Sequence, residues 1–313
     1  MKQETLKHIP VMLEQAVDAL AVKDDGTYLD GTFGRGGHAR EILQRLGPRG
    51  RLLLMDRDPL AIAVALEEFA QDDRVRVRHE SFATLAQWSE TEDGLDGVLL
   101  DLGMSSPQLD DPQRGFSFQG DAPLDMRMDT TRGESAAQFL ARADETQIAD
   151  VLFQFGEERM SRRIARLIVE RRATDPIHST AQLADLVARA IGRREPGKHP
   201  ATRTFQALRI AVNGELDALT QGLASARKCL RERGRLAVIS FHSLEDRIVK
   251  QFIREHSQAP PTRRGLPPPP DVNLTLRPIG AAQFPDSSEL ARNPRSRSAV
   301  LRTAERLAPG VSA

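Results

Sequence analysis

Apolar runs in the first third of the chain end on aspartates: Tyr28-Leu29 on Asp30, residues 51–55 on Asp56, and residues 95–100 on Asp101. After the first comes a helix-like pattern, Ala39 to Leu46, with Ile42, Leu43 and Leu46 on one face. Residues 59–69 read as a second helix with Pro59 in its first turn, and residues 75–78 as a short strand. Strands alternating with helices imply right-handed crossovers and a mostly parallel sheet. Ligands of such sheets sit at the carboxyl ends of the strands, where all of these acids fall.

The turn after Asp30 carries Gly31, Gly34, Gly36 and Gly37, so backbone there can approach a ligand closely. Gly34-Arg35-Gly36-Gly37-His38-Ala39 fits the dinucleotide pattern G-x-G-x-x-A. Asp30-Gly31 just before it fits the place where S-adenosylmethionine sites meet the methionine end of their ligand. A plain glycine turn without a ligand is the third reading.

After Asp101 the alternation stops. Residues 102–132 are rich in Gly, Pro, Ser and Asp and read as a long functional loop. Helical patterns follow at 136–140, 145–155, 161–172, 180–191 and 202–223. A strand returns at 234–240, then a helix at 244–256, a segment with six prolines at 258–271, and candidate strands at 272–277 and 298–303. The pattern predicts an all-helical domain inserted into an α/β sheet.

Composition narrows the function. Cys229 is the only cysteine, which excludes a disulfide framework or a cysteine-rich zinc site. His8, His38 and His199 are scattered, so no metal is expected. The chain has no long apolar run and no signal-peptide core at Met1-Lys2-Gln3-Glu4, so the expected location is the cytoplasm, away from membranes. Residues 1–110 hold 12 Lys/Arg against 20 Asp/Glu, a net of −8, and the remainder is +8. That asymmetry fits a polyanion partner for the second part, or simply a solvated basic face. With aromatics at 4%, extended base-stacking platforms are not expected.

Individual residues carry specific expectations. Asp56 is placed to accept ribose hydroxyls, and Asp58 to cap the following helix. Asp101 can hold the N–H groups of a base amine and aim its nitrogen at a methyl donor, or cap a turn. Methylation at cytosine C5 needs a thiolate. Cys229 lies in a helix-like setting away from the acid loops, so transfer to nitrogen or oxygen is preferred. Ser243 is a candidate N-cap with Asp246 three residues on, leaving His242 to meet a base or phosphate or to fix the turn. Arg159, Arg162, Arg163, Arg166, Arg171 and Arg172, and again Arg292, Arg295 and Arg297, can meet phosphates or pair with nearby glutamates. A nicotinamide dehydrogenase and a non-catalytic RNA-binding protein are the rival readings.

Long motifs in order connect the chain to one family. They include His8-Ile-Pro-Val-Met-Leu13, Asp30-Gly-Thr-Phe-Gly-Arg-Gly-Gly-His38 and Asp101-Leu-Gly-Met-Ser-Ser-Pro-Gln-Leu-Asp110. Pro123-Leu-Asp-Met-Arg-Met128, His199-Pro-Ala-Thr-Arg203, Ser240-Phe-His-Ser-Leu-Glu-Asp-Arg247 and Asn293-Pro-Arg-Ser-Arg-Ser298 continue the series. The chain closely resembles the bacterial RsmH/MraW family of 16S rRNA cytosine-N4 methyltransferases. The resemblance implies S-adenosylmethionine-dependent methylation of the N4 amine of cytidine 1402 in 16S rRNA of the small ribosomal subunit. It implies a class I (Rossmann-like) methyltransferase sheet over 1–110 and 212–313, with an inserted helical substrate-recognition domain over 111–211. It assigns Gly36, Gly37, His38, Asp56, Phe82, Asp101 and Gln108 to the cofactor, with Asp101 also the candidate catalytic residue. In place of the usual Asp/Asn-Pro-Pro-aromatic motif of amino-methyltransferases stands Asp-Leu-Gly-Met-Ser-Ser-Pro, which leaves Asp101 open between cofactor and amine. Monomer and homodimer are both compatible with the sequence.

Overall fold

The computed structural model describes residues 10–192, 199–259 and 273–308. His8, Ile9 and most of the proline-rich 258–271 segment lie outside the described residues. In chain order the regular elements begin with α1 (Leu13–Leu20), β1 (Thr27–Asp30), α2 (Gly37–Arg45), β2 (Arg51–Asp56), α3 (Pro59–Glu68), β3 (Val75–His79) and β4 (Leu95–Asp101). Next come α4 (Ser106–Asp110), α5 (Ala136–Arg142), α6 (Glu145–Gly156), α7 (Ser161–Arg172), α8 (Thr180–Ile191) and α9 (Thr202–Asn213). The chain ends with α10 (Glu215–Cys229), β5 (Leu230–Ser240), α11 (Ser243–Ser257), β6 (Leu276–Pro278), α12 (Ser287–Arg292) and β7 (Val300–Arg306). Two compact units emerge, one of residues 1–103 with 216–313 and one of residues 104–215.

The first unit is a seven-stranded sheet among the described residues, in the order β3-β2-β1-β4-β5-β7-β6. Strands β1 to β5 pair in parallel, and β7 pairs antiparallel with β5 and β6. This is the doubly wound, Rossmann-like α/β sheet expected. α1, α2 and α3 cover one face through Val17, Leu20, Ile42 and Ala65. α10, α11 and the 3-10 turn Phe82–Gln87 cover the other through Leu223, Val249, Ile253 and Leu85. Buried on both faces, the central strands read as continuous apolar runs, such as Leu52-Leu53-Leu54-Met55. Strand order reverses between β1 and β4, and the crevice at their carboxyl ends is where such sheets bind ligands. Asp30 and Asp101 end those two strands.

The second unit packs α5 to α9 around Leu140, Ile148, Leu152, Ile164, Leu183 and Leu208. Ser135 with Gln138, Asp144 with Gln147, and Ser179 with Gln182 form capping boxes that start α5, α6 and α8. Segment 102–132 is the irregular loop expected apart from α4 and a 3-10 turn at Pro112–Arg114, and it is anchored. Buried Arg114 donates to the carbonyls of Arg127 and Met128, and the Asn213 side chain accepts Met128 N–H and donates to Met126 O. Phe116, Leu124 and Met126 enter the helical core without any regular spacing to announce it.

The helical pattern at 202–223 proves to be two helices, because Gly214 takes a left-handed φ of +57° between them. Strand β5 starts earlier than expected. Of the last two strands, β7 extends further, and β6 is only Leu276–Pro278, with residue 272 outside the described residues. Among the described residues, no helix is long and apolar enough to cross a membrane.

Candidate functional site

The loop after β1 is stitched to the strands on either side of it. Gly31 N–H donates to Leu99 O and Phe33 N–H to Met55 O, both at 3.0 Å. Gly34 N–H donates to Asp56 Oδ2 at 2.8 Å, and Asp101 N–H to Thr32 Oγ1 at 2.7 Å. Asp30 Oδ1 accepts Thr32 N–H at 3.1 Å, while its Oδ2 is buried with no hydrogen-bond partner among the described residues. Gly36, at φ +74°, takes the left-handed turn that starts α2. Gly37 answers a different need: a Cβ there would stand 1.9 Å from Pro10 Cγ. The backbone approaches its own N-terminal segment at that point.

That segment positions His38. The His38 Nε2 lies 3.1 Å from the carbonyl of Val11, and the next residue, Met12, donates its N–H to Glu289 Oε1 at 2.7 Å. His38 is buried, and its Nδ1 stands 3.8 Å from Asp101 Oδ2. The Asp101 side chain keeps 22% of its surface exposed, so a ligand can reach it. Asp56 accepts Asp58 N–H on Oδ1 at 2.8 Å, and Asp58 caps α3 by accepting Leu60 N–H. Phe82 opens the turn after β3, capped by Ser81, with its ring against Gly222 of α10.

Burial dominates the electrostatics. It pushes Asp30 and Asp56 up to about 6, with the His38 ring opposing it at Asp30 and the Asp58 and Gly34 amides opposing it at Asp56. It pushes Asp101 up to about 7, against the Gly103 amide and helped by the nearby Glu245 carboxylate. Burial also holds His38 below the ordinary imidazole range, against the opposing pull of Asp30. A carboxyl with a raised folded-state pKa binds protons that the unfolded chain does not, so stability falls as pH rises through that pKa. Lowering the pH from 8 to about 6.5 should therefore raise the melting temperature of the free protein. Asp101→Asn should remove most of that gain in calorimetric scans at the two pH values.

Other sequence candidates fall elsewhere. The N-cap of α11 is His242 rather than Ser243, and its box partner is buried Glu245 rather than Asp246. Glu245 Oε2 accepts Phe241 N–H at 2.8 Å, whereas Asp246 pairs with Arg302 on β7. Neither Glu245 nor Glu289 stands out in sequence, because an acid inside a helix normally faces water. Half-buried Cys229 ends α10 with Sγ 3.7 Å from Thr91 Oγ1. In the second unit, Gln108 is buried and its Oε1 accepts Ser105 N–H to start α4. The arginine run there divides: Arg171 pairs with Asp175 and Arg172 donates to Leu140 and Ala143 carbonyls, while Arg159, Arg162 and Arg163 are exposed.

A family model described as the MraW methylase family matches residues 5–307. Ribosomal RNA small subunit methyltransferase H of Xylella fastidiosa (strain M23) is 59% identical over 307 residues, covering 96% of this chain and 98% of that protein. The protein of the same name from Xanthomonas oryzae pv. oryzae (strain PXO99A) is 57% identical over 311 residues, covering 99% of this chain and 92% of its own length. That from Stenotrophomonas maltophilia (strain K279a) is 56% identical over 306 residues, covering 98% and 95%.

Proposed function

The chain belongs to the MraW methylase family, and from that premise we propose that it is an S-adenosylmethionine-dependent methyltransferase of small-subunit ribosomal RNA. The target is the N4 amine of a cytidine, cytidine 1402 of 16S rRNA. The observation that carries the reading is the acid-rich crevice at the switch point of the sheet. Asp30 and Asp101 end adjacent strands there, Asp56 ends the next, and Asp30 Oδ2 is buried without a partner among the described residues. Such a site fits a ligand that carries positive charge on an ammonium and a sulfonium and two hydroxyls on a ribose.

S-adenosylmethionine bound there supplies a methyl group on a positively charged sulfur. Gly36, Gly37 and His38 shape the pocket for its methionine end. Asp56 uses one lone pair on each oxygen for backbone amides and keeps the others for the ribose hydroxyls. Phe82 packs beside the adenine, and Asp101 accepts hydrogen bonds from the target amine and orients its nitrogen, so that the gain comes mostly from alignment. The helical unit carries substrate recognition, with exposed Arg159, Arg162 and Arg163 as its phosphate contacts.

Purified protein given labelled methyl donor and small ribosomal subunits should label one cytidine on N4. Binding of NAD without binding of S-adenosylmethionine, or RNA affinity with no turnover, would discard the assignment. Asp56→Ala should weaken S-adenosylmethionine binding by about 10- to 100-fold, the loss of about 1.5–3 kcal/mol from hydrogen bonds to a charged group. Titration calorimetry on folded protein checks that number.

A further inference from the structure

His38 is held between carboxyls of neighbouring strands, and its tautomer is dictated by the backbone. The Val11 carbonyl can only accept, so Nε2 at 3.1 Å from it must carry the ring proton. In the neutral ring Nδ1 is then a bare lone pair, and the side-chain atom it approaches is Asp101 Oδ2, at 3.8 Å. That gap exceeds a hydrogen bond, but such contacts are often long in a free enzyme and tighten in the reacting complex. Asp30 acts on the ring electrostatically from β1 and Glu289 from α12, while Asp101 faces Nδ1 from β4. Asp101 in turn is faced by Glu245 from α11.

Charge balance gives this arrangement a purpose. When the target nitrogen forms its bond to the methyl carbon, the carbon–sulfur bond breaks and its electron pair stays on sulfur. The positive charge of the sulfonium passes to the nitrogen, which must then release a proton. The crevice loses a cation while its acids remain. A proton placed on His38 restores a positive charge beside Asp30.

Resting on the methyltransferase reading above, we propose that His38 is a positioning residue for proton removal: Asp101 takes the proton from the methylated amine, and His38 Nδ1 receives it from Asp101, with Asp30 as the fixed counter-charge. The relay returns Asp101 to its carboxylate form for the next turnover, and the imidazolium loses its proton to solvent when products leave. Burial keeps the resting ring neutral and so able to accept a proton, while the Asp30 and Glu289 carboxylates oppose burial by favouring the imidazolium.

His38→Gln retains an amide N–H for the Val11 carbonyl but has no titratable nitrogen. It should weaken S-adenosylmethionine binding by less than about tenfold in calorimetry, yet at saturating S-adenosylmethionine transfer methyl to small subunits about 100-fold more slowly in a single turnover at pH 7. His38→Ala should be rescued by added imidazoles, more strongly by the more basic ones. In the free protein at pH 7, nitrogen NMR of His38 should show Nε2 protonated and Nδ1 bare. A protonated Nδ1, a His38→Gln enzyme as fast as wild type, or rescue indifferent to base strength would each overturn the relay; the last would leave His38 a packing role. A wild-type protein that methylates no subunit would instead overturn the methyltransferase reading, and the NMR result would still decide the tautomer.

Discussion

Asp101→Asn should slow single-turnover methyl transfer to small ribosomal subunits by about 10²- to 10⁴-fold, the usual worth of a positioned proton acceptor. The substitution preserves shape. The Asp101 backbone N–H still donates to Thr32 Oγ1, and the side-chain oxygen still faces Gly103 N–H. What is lost is the ability to accept two N–H bonds from an amine and then its proton. Affinity for S-adenosylmethionine should change by less than about tenfold, because Asp30 and Asp56 remain. The two quantities separate the roles left open for this acid. A large loss of affinity with a modest loss of rate would make Asp101 a cofactor ligand only, and an unchanged rate would remove it from the mechanism.

The positions of Asp30, Asp56 and Asp101 were legible because each closes an apolar run, and in a sheet buried on both faces such runs are strands. The alternation with helices then dictated a parallel sheet and its ligand-binding edge. Elements escaped where the deciding feature was a single backbone angle or a distant partner. Gly214 divides a helical pattern whose side chains continue unbroken in sequence, so only its positive φ reveals the division. Met12 is bonded to Glu289 across 277 residues, and His38 to Val11 across 27. No local spacing encodes either link, and both set where His38 points. Segment 102–132 reads as a loop and is one outside α4, but its anchoring by Arg114 and by distant Asn213 is encoded in no local spacing. In the same way, the cap of α11 went to His242 because buried Glu245 accepts the Phe241 and His242 amides, a preference set by burial rather than by residue type.

Gly37→Ala is the sharper test of how the N-terminal segment supports the site. In an isolated helix, alanine for glycine would stabilise by about 1 kcal/mol. Here the added Cβ would stand 1.9 Å from Pro10 Cγ and 3.0 Å from its Cβ, so the proline must move. Overpacking of that kind costs about 1–3 kcal/mol, enough to outweigh the helical gain. Moving Pro10 also draws Val11 away from His38 and Met12 from Glu289. The variant should therefore show a lower urea midpoint with an unchanged slope, and weaker binding of S-adenosylmethionine. Pro10→Ala deletes the clashing Cγ while keeping a Cβ. In the double variant part of the lost stability should return, with a coupling of about 0.5–3 kcal/mol between the two positions. Strictly additive effects would mean that the two residues do not meet, and that Gly37 is required for some other reason. Strong coupling in stability together with recovered S-adenosylmethionine affinity would show that the N-terminal segment holds the ring of His38 in place, as its bond to Val11 implies.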